Sequence, residues 1–113
     1  MKTHPQFAHN LPGVGYWGER PDVALRINFA DIKAGEKFPP DPLHYHKTRT
    51  TYFCVLRGGL TVEINKKEVS VTPSAMLEVE PMEPYRVAAV SPEGCIYVVV
   101  GSHNEDDRVE VFE

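Results

Sequence analysis

Apolar and polar side chains alternate along several short stretches of this chain, and the first long stretch begins at Val23. Every second residue from Val23 to Phe29 is apolar, whereas Arg26 and Asn28 lie between them. Because successive side chains of a β-strand lie on opposite faces of the sheet, this pattern predicts a half-buried strand. The same period of two recurs over residues 60–64 and predicts a second strand.

Prolines and glycines divide the chain into short pieces, with ten of the former and eight of the latter in 113 residues. Frequent turn signals between short strands are typical of β-sandwiches and barrels. No segment sustains the period of a helix, so the pattern predicts an all-β fold. We expect turns at Gly58-Gly59, Asn65 to Lys67, Pro73-Ser74 and Ser91 to Gly94, and further strands at about 50–57, 69–71, 76–80, 85–90, 95–100 and 109–112.

The length suits one domain with a real core. Residues 1–22 are rich in proline and glycine and predict an irregular N-terminal arm, so residues 23–113 would form the single domain, ending in an acidic tail. The run 95–100 is the most apolar and predicts a strand buried on both faces. The expected core includes Ile27, Phe29, Phe53, Val55, Leu60, Val62, Ile64, Leu77, Val98 and Val100.

His44 and His46 stand at the start of an expected strand, with Tyr45 between them. Residues two apart on a strand share a face, so the two imidazoles lie side by side. Such a pair can bind one metal ion, or share a proton with a substrate. Two solvated polar residues at a strand start are the alternative that the spacing leaves open.

The composition describes an ordinary globular protein, with 42% hydrophobic and 25% charged residues. No apolar run approaches the ~20 residues that span a bilayer, and the first residues lack the apolar region of a secretory signal. We therefore expect a cytoplasmic location and no membrane partner. The net charge of −4 argues against a nucleic-acid partner, which favours a basic surface. Cys54 and Cys95 lie in apolar runs and are expected to be buried reduced thiols, with a disulfide left open.

Charged residues gather in two places. Basic residues follow or neighbour the histidines in sequence at Lys47, Arg49 and Arg57, and Arg86 comes later. They form either a solvated rim or a site that attracts a negative ligand despite the negative net charge. Acidic residues concentrate in the tail, which we interpret as a solvated end, at Glu105, Asp106, Asp107, Glu110 and Glu113.

The order and spacing of these residues resemble the first motif of the cupin superfamily, in which a glycine precedes His-x-His, a glutamate and a second glycine. Here eight residues separate Gly35 from His44, four separate His46 from Thr51, and six separate Thr51 from Gly58. The resemblance continues over about residues 23–100. It implies a small jelly-roll (double-stranded β-helix) barrel of the cupin type.

The family's second motif maps onto residues 73–89, where Pro84-Tyr85-Arg86-Val87 resembles its Pro-His-x-Val segment. The family's metal site uses three histidines and one glutamate. Thr51 stands at the glutamate position here, and Tyr85 stands at the position of the third histidine. A neutral hydroxyl is a poor substitute for a carboxylate ligand, and a phenol binds metals well only after losing its proton.

The cofactor is therefore left open, and the resemblance implies at most a weakly held divalent metal at His44 and His46. Either Glu78 or Glu80 would supply a carboxylate if its strand turned that side chain inward.

The resemblance also implies that the histidines lie inside the barrel near one mouth. The implied catalytic residues are His44, His46 and Tyr85. The implied ligand contacts are Thr51, Phe53, Arg49, Arg57 and Arg86, with Phe53 and Val55 as an apolar floor. A mostly apolar cavity with a few convergent polar groups is typical of a small-molecule site.

Three functional classes fit this site, and the sequence does not decide whether the protein is an enzyme. The first is a barrel that binds a small, anionic organic compound. The second is a metal-independent isomerase or lyase in which His44, His46 and Tyr85 perform acid–base chemistry. The third is a metal-dependent cupin enzyme with atypical ligands.

A homodimer is the expected assembly, since small cupins commonly pair through sheet faces. Tyr52, Cys54 and Leu56 alternate with Thr51, Phe53 and Val55, so this strand is apolar on both faces. An apolar outer face needs a cover, which is either a second copy or the N-terminal arm.

Overall fold

The computed structural model describes residues 1, 9–11, 14–17, 24–35 and 41–112, and these residues contain nine β-strands and no helix. Every strand pair is antiparallel, and the expected all-β fold is confirmed. In chain order the strands are β1 His9–Leu11, β2 Val14–Trp17, β3 Arg26–Lys33, β4 His44–His46, β5 Thr51–Ile64, β6 Lys67–Val71, β7 Met76–Val79, β8 Tyr85–Gly101 and β9 Arg108–Glu110.

Two long strands, β5 and β8, each run through both sheets of the barrel. The first half of β5 and the second half of β8 pair with each other in one sheet. In this sheet β7 pairs with β5, and β3, β2 and β1 follow in that order on the other side of β8. The second half of β5 and the first half of β8 form the other sheet, in which β6 pairs with β5, β4 pairs with β8, and β9 pairs with the far edge of β4. The two halves of each strand thus lie in facing sheets, as a jelly roll requires.

The corner between the sheets forms where the sequence predicted chain reversals at Gly58-Gly59 and at residues 91–94. The predicted strand end and turn at Gly58-Gly59 and the predicted hairpin at residues 91–94 were both wrong, because β5 and β8 continue through these segments with shifts of register. Gly58 has a φ of 80°, and the Gly59 amide donates to the Ser91 hydroxyl at 2.9 Å. The Ser91 hydroxyl donates in turn to the Gly94 carbonyl at 2.8 Å. The turn residues therefore join the two long strands at a bulged corner instead of ending them.

Other local predictions were correct. Asn65 and Lys66 have φ values of 50° and 67° and form a two-residue hairpin turn between β5 and β6. The short strands β7 and β9 lie within two residues of their predicted bounds. The described part of the arm is not irregular, however, because β1 and β2 form a hairpin whose second strand pairs with β3. Most of the arm, Val23 and Glu113 lie outside the described residues.

The core fills the space between the sheets, and Phe53, Val55, Leu60 and Val62 are buried there as expected. The predicted face of β3 was wrong. Its buried residues are Ala30 and Ile32, whereas Ile27 is 45% exposed. By alternation, Arg26 and Asn28 share the inner face with Ala30 and Ile32.

The remaining expected core residues, Phe29, Ile64, Leu77, Val98 and Val100, are only partly buried. The run 95–100 is therefore not buried on both faces: Cys95 and Tyr97 face the core, and their neighbours are half-buried.

Both cysteines are free, and Cys95 is buried as expected, but the expected burial of Cys54 was wrong, because its side chain lies on the outer face of β5 and is partly exposed. Burial, with Glu93 nearby, raises the pKa of Cys95 to about 11, so its thiol stays protonated at neutral pH. In the part of the chain that the structure covers, no helix has the length and apolar character needed to cross a bilayer.

Candidate functional site

Strand β4 places His44 and His46 on the inner face of the barrel, where both are buried, with exposed fractions of 3% and 6%. Tyr85 at the start of β8 lies directly opposite His44 in the antiparallel register. The ring centroids of His44 and Tyr85 are therefore only 4.5 Å apart, and those of His46 and Tyr85 are 6.0 Å apart. The three rings that the sequence proposed as catalytic residues come together.

Thr51 and Phe53 approach this group from the facing sheet. The Tyr85 hydroxyl donates to Thr51 Oγ1 at 3.4 Å, and the Tyr85 and Phe53 rings meet edge to face at 5.8 Å between centroids. Val55 is buried two residues further along the same face. Burial raises the pKa of Tyr85, so its phenol stays protonated at neutral pH and is a potential proton donor.

His44 is held through its Nδ1 atom, which donates to the Pro42 carbonyl at 2.7 Å. Because a carbonyl oxygen only accepts, this bond places the proton of the neutral ring on Nδ1 and leaves Nε2 unprotonated. Burial lowers the pKa of His44, so at neutral pH the ring is neutral and its Nε2 atom is able to accept a proton.

His46 is held in the same way by a carboxylate from the C-terminal segment. Its Nδ1 atom donates to Asp107 Oδ1 at 2.7 Å, and the two side chains are 7% and 9% exposed. Burial lowers the pKa of His46 despite this partner. Burial acts to raise the pKa of Asp107, but hydrogen bonds from the Thr48 amide, His46 and the Arg49 amide outweigh it and hold that pKa well below its usual range.

Asp107 was missed because the acidic tail was interpreted as a solvated end. The sequence had already predicted a last strand there, at about residues 109–112. That strand, β9, pairs with β4 so that Arg108 lies opposite His46 and Asp107 comes next to it. The predicted strand was therefore the available signal, although its partner was not known from the sequence.

The two imidazoles present the same chemistry. Each has Nδ1 engaged with an acceptor and Nε2 free of a proton, and each lies beside a neutral phenol. Such an arrangement can accept a proton at Nε2 and donate one from Tyr85 to the same bound molecule.

The family's metal does not fit this donor set. Within the described ranges, no group of three or more His, Cys, Asp or Glu side chains is placed to hold an ion. Val79 is the buried residue of β7, so Glu78 and Glu80 face away from the barrel interior, and both are exposed. Neither glutamate supplies the carboxylate that the sequence had left open, and of the described side chains in this group, Thr51 and Tyr85 would offer His44 and His46 only hydroxyls to complete a site.

The basic residues proposed as ligand contacts are scattered. Arg57 is exposed and lies six residues along β5 from Thr51, a distance of about 20 Å at ~3.3 Å per residue. Arg86 is on the outer side of β8 and pairs with Glu63 at 2.7 Å. Arg49 is buried, but its guanidinium donates to the carbonyls of His103 and Glu105. Lys47 is exposed beyond β4.

Arg26 lies near the candidate site, although the sequence did not predict it as a ligand contact. It lies opposite Gly101 in the register, on the inner face at the same end of the barrel as Thr51, which also pairs with Gly101. The absence of a side chain at Gly101 leaves this space to two arginines, since an added Cβ would lie 3.2 Å from Arg26 Cβ and 2.7 Å from Arg49 Cδ.

Comparison with known proteins agrees with this fold. Residues 28–101 match the family model described as the cupin domain. A search of curated proteins found no match.

Among solved structures, the capsular polysaccharide assembling protein CapF of Staphylococcus aureus is similar over 98% of this chain and 35% of its own, with a TM-score of 0.75 and 12% identity. Oxalate decarboxylase of Lactobacillus farciminis, in a formate complex, is similar over 94% and 33%, with a TM-score of 0.71 and 12% identity. This chain thus spans about a third of the length of either protein.

A protein of similar size is Streptomyces Pac13, a nucleoside dehydratase. It is similar over 94% of this chain and 84% of its own, with a TM-score of 0.68 and 15% identity. At such identities the likeness extends to the fold alone.

Proposed function

The chain belongs to the cupin family, and from that premise we propose that its barrel binds a small anionic organic molecule and performs metal-independent acid–base chemistry on it, as a lyase or isomerase. One observation carries this proposal. Two buried imidazoles, each with Nδ1 engaged and Nε2 unprotonated, lie within 4.5 and 6.0 Å of a buried phenol, measured between ring centroids.

The proposed reaction begins with proton abstraction from a carbon next to a carbonyl. Nε2 of His46 or His44 takes the proton, and the electron pair of the broken C–H bond forms a C=C bond. In a lyase, the C–O bond on the neighbouring carbon breaks, and the hydroxyl leaves with the electrons of that C–O bond and takes the Tyr85 proton to depart as water. In an isomerase, the C=C bond forms to the carbonyl carbon instead, and the carbonyl oxygen takes the Tyr85 proton. The histidine then returns its proton to the other carbon of the C=C bond, while the hydroxyl on the first carbon gives its proton to Tyr85 and becomes the new carbonyl. Bases and acids positioned in this way contribute about 10²–10⁴-fold to a rate.

The directions of the pKa shifts suit these roles. Burial lowers the pKa of both histidines and raises the pKa of Tyr85. At neutral pH the bases are therefore unprotonated and the acid is protonated, which is the combination that the reaction needs.

The neighbour of similar size also supports a lyase. Pac13 is a nucleoside dehydratase, and dehydration is a lyase reaction. Its structures with uridine include variants in which one histidine or one tyrosine is replaced, the same two residue types that meet here. Nucleosides and their anionic derivatives are therefore the first compounds to test.

Arg26 supports a negative charge on the ligand. It lies on the inner face opposite Gly101, at the same end of the barrel as Thr51, and from this position a guanidinium would bind a carboxylate or phosphate at the mouth with two parallel hydrogen bonds. Arg26→Gln should then weaken binding of anionic ligands more than binding of neutral analogues.

The proposal is tested first by thermal-shift screening of nucleosides, nucleoside monophosphates, 2-oxo acids and sugar phosphates. A ligand of the site stabilises the wild-type protein and the control variant Tyr45→Phe, but not His46→Gln, since stabilisation follows occupancy. Hits are then incubated with the protein, and products are followed by mass spectrometry and NMR.

Loss of turnover in both His46→Gln and Tyr85→Phe would support acid–base catalysis. Binding without turnover would leave a binding protein, and identical responses of His46→Gln and wild type to every hit would exclude the barrel as the site.

A further inference from the structure

We infer that Asp107 is a positioning residue, which fixes His46 in the tautomer that carries its proton on Nδ1 and keeps Nε2 available to a ligand. The catalytic consequence rests on the proposed function, but the tautomer itself does not.

The two oxygens of Asp107 have separate tasks. Oδ1 accepts from His46 Nδ1 at 2.7 Å. Oδ2 accepts from the backbone amides of Thr48 and Arg49, each at 2.8 Å, and from the Thr48 hydroxyl at 3.1 Å. The three donors on Oδ2 hold the carboxylate in place independently of His46, and this orientation directs Oδ1 at the imidazole.

The donors on Oδ2 belong to Thr48 and Arg49, which are two and three residues after His46. The carboxylate is therefore oriented relative to the same short segment that carries the imidazole. A backbone bond from the Lys47 amide to the Asp107 carbonyl, at 3.2 Å, adds a further link between the two segments. Charge-assisted bonds to backbone amides are short and strong, and they favour the ionised carboxylate.

A second layer holds Thr48 in place. The Glu105 amide donates to His103 Nδ1 at 3.2 Å, so the neutral His103 ring carries its proton on Nε2 and donates it to the Thr48 hydroxyl at 2.8 Å. The Thr48 hydroxyl is then left to donate to Asp107. The series begins at an amide that only donates and ends at a carboxylate that only accepts, and the His103 ring and the Thr48 hydroxyl between them each accept one bond and donate one, so the direction of every bond is determined.

Arg49 fastens the same C-terminal segment to the barrel. Its guanidinium donates to the carbonyls of His103 and Glu105, and Nε lies 3.9 Å from Asp107 Oδ1. Beyond Asp107, β9 pairs with β4 from Arg108 to Glu110. Asp107 is thus held from both sides and lies beyond residues 28–101, where the match to the cupin domain ends.

A purely structural role for Asp107 makes a different prediction from a positioning role. Asparagine retains one acceptor oxygen, which can keep the bonds from the Thr48 and Arg49 amides. Its NH₂ group would then face His46 Nδ1 and donate to it, which favours the opposite tautomer with the proton on Nε2. Asp107→Asn should therefore keep the bonds from the Thr48 and Arg49 amides and move the proton of the neutral His46 ring from Nδ1 to Nε2.

The test is a long-range ¹H–¹⁵N correlation spectrum of histidine side chains in ligand-free protein at pH 8. In the wild type, His46 should show a protonated Nδ1 and an unprotonated Nε2. In Asp107→Asn, the two nitrogens of His46 should exchange these chemical-shift ranges, while His44, held by Pro42, should not change. The matched control Asp106→Asn should leave both rings as in the wild type.

A wild-type His46 with its proton on Nε2 overturns the inference without any variant, so a failure of Asp107→Asn to fold would not protect it. An unchanged His46 tautomer in folded Asp107→Asn overturns it equally. If the tautomer is as inferred and no substrate is turned over, the proposed function fails while the positioning role stands. If a substrate is found, Asp107→Asn should lower kcat more than it changes KM.

Discussion

Tyr85 and Thr51 meet across the barrel, with the phenol of one sheet donating to the hydroxyl of the other at 3.4 Å. The cupin resemblance places metal ligands at both positions, and in this chain the two side chains contact each other. The long bond is weak. The Tyr85 hydroxyl therefore loses little by turning to a bound molecule, which suits a proton donor.

Replacing Tyr85 with phenylalanine tests this role directly. The ring would keep its contacts with His44 and Phe53, and the lost hydrogen bond should cost no more than about 1 kcal/mol in the free energy of unfolding. Turnover of a substrate found by screening should fall by about 10²-fold or more. Denaturant unfolding and kcat measure the two effects. The control is Tyr45→Phe, because Tyr45 lies on the opposite face of β4 from His44 and His46. Full activity in Tyr85→Phe would remove the phenol from the mechanism.

Local patterns located most strands because alternation and turn residues act within a few positions. The face of β3 was not determined in this way, because its outer row contains Ile27 and Phe29, which are more apolar than the inner row near the mouth. Which side of β3 is buried depends on the position of the other sheet, and Ala30 and Ile32 are the β3 residues that face it. The inner row of β3 contains Arg26 and Asn28 at the end of the barrel near Thr51, and Ala30 and Ile32 at the buried end.

The candidate site was predicted in part for a similar reason. His44, His46, Thr51 and Tyr85 follow a motif with regular spacing, so the resemblance brought them together correctly. Asp107 is 61 residues from His46 and belongs to no motif. Only the pairing of β9 with β4 makes it a neighbour, and strand pairing over such a separation is not encoded locally.

Stability should decrease as the pH falls below about 6.5, the ordinary pKa of histidine. Burial lowers the pKa of His44 and His46 in the folded state, so the unfolded chain binds more protons in this range. The free energy of unfolding then falls with falling pH until the folded-state pKa values are passed. Urea unfolding between pH 8 and 5 measures the slope, and the double variant His44→Gln, His46→Gln should flatten it. Stability that is constant or rises toward pH 5 in the wild type would contradict the shifts.

Asp107 should add a second loss of stability in more acidic solution. Its pKa is lowered in the folded state, so its contribution is present above about pH 3.9 and is lost as the pH falls through the folded-state value. Asp107→Asn should remove this acid-induced loss, whereas Asp106→Asn should retain it. The measurement is acid unfolding followed by circular dichroism below pH 4.

A divalent metal, if added, should bind weakly. Among the residues that the structure describes, only His44 and His46 offer strong ligands at this site, and Thr51 and Tyr85 complete it with neutral hydroxyls. Untagged protein should therefore lose zinc, nickel, iron or manganese during dialysis against a chelator, as measured by plasma mass spectrometry. One equivalent of metal retained after dialysis, and lost in His44→Gln, would show that this donor set suffices.

Gly58 should be far less tolerant of substitution than its neighbour Gly59. Gly58 has a φ of 80°, and a Cβ there would collide with the Gly94 carbonyl oxygen. At Gly59 the nearest atom to an added Cβ is Ser91 Cβ at 3.7 Å, an ordinary contact. Gly58→Ala should lower the free energy of unfolding by at least the ~1–3 kcal/mol of a strained backbone, and Gly59→Ala by much less. Equal effects would mean that the corner does not depend on this close approach.

The outer face of the sheet that contains β3 should form a homodimer interface. Ile27, Val100 and Tyr52 are neighbours in one row across three strands, and Phe29, Val98 and Cys54 form the next row. A self-complementary contact between two copies would bury this apolar band. Light scattering at micromolar concentration should give twice the chain mass of 12.7 kDa. Ile27→Glu should give the monomer, while Phe112→Glu, which changes an exposed apolar residue at the end of the other sheet, should remain dimeric. A wild-type monomer at these concentrations would exclude the dimer, and a dimer that survives Ile27→Glu would place the interface elsewhere.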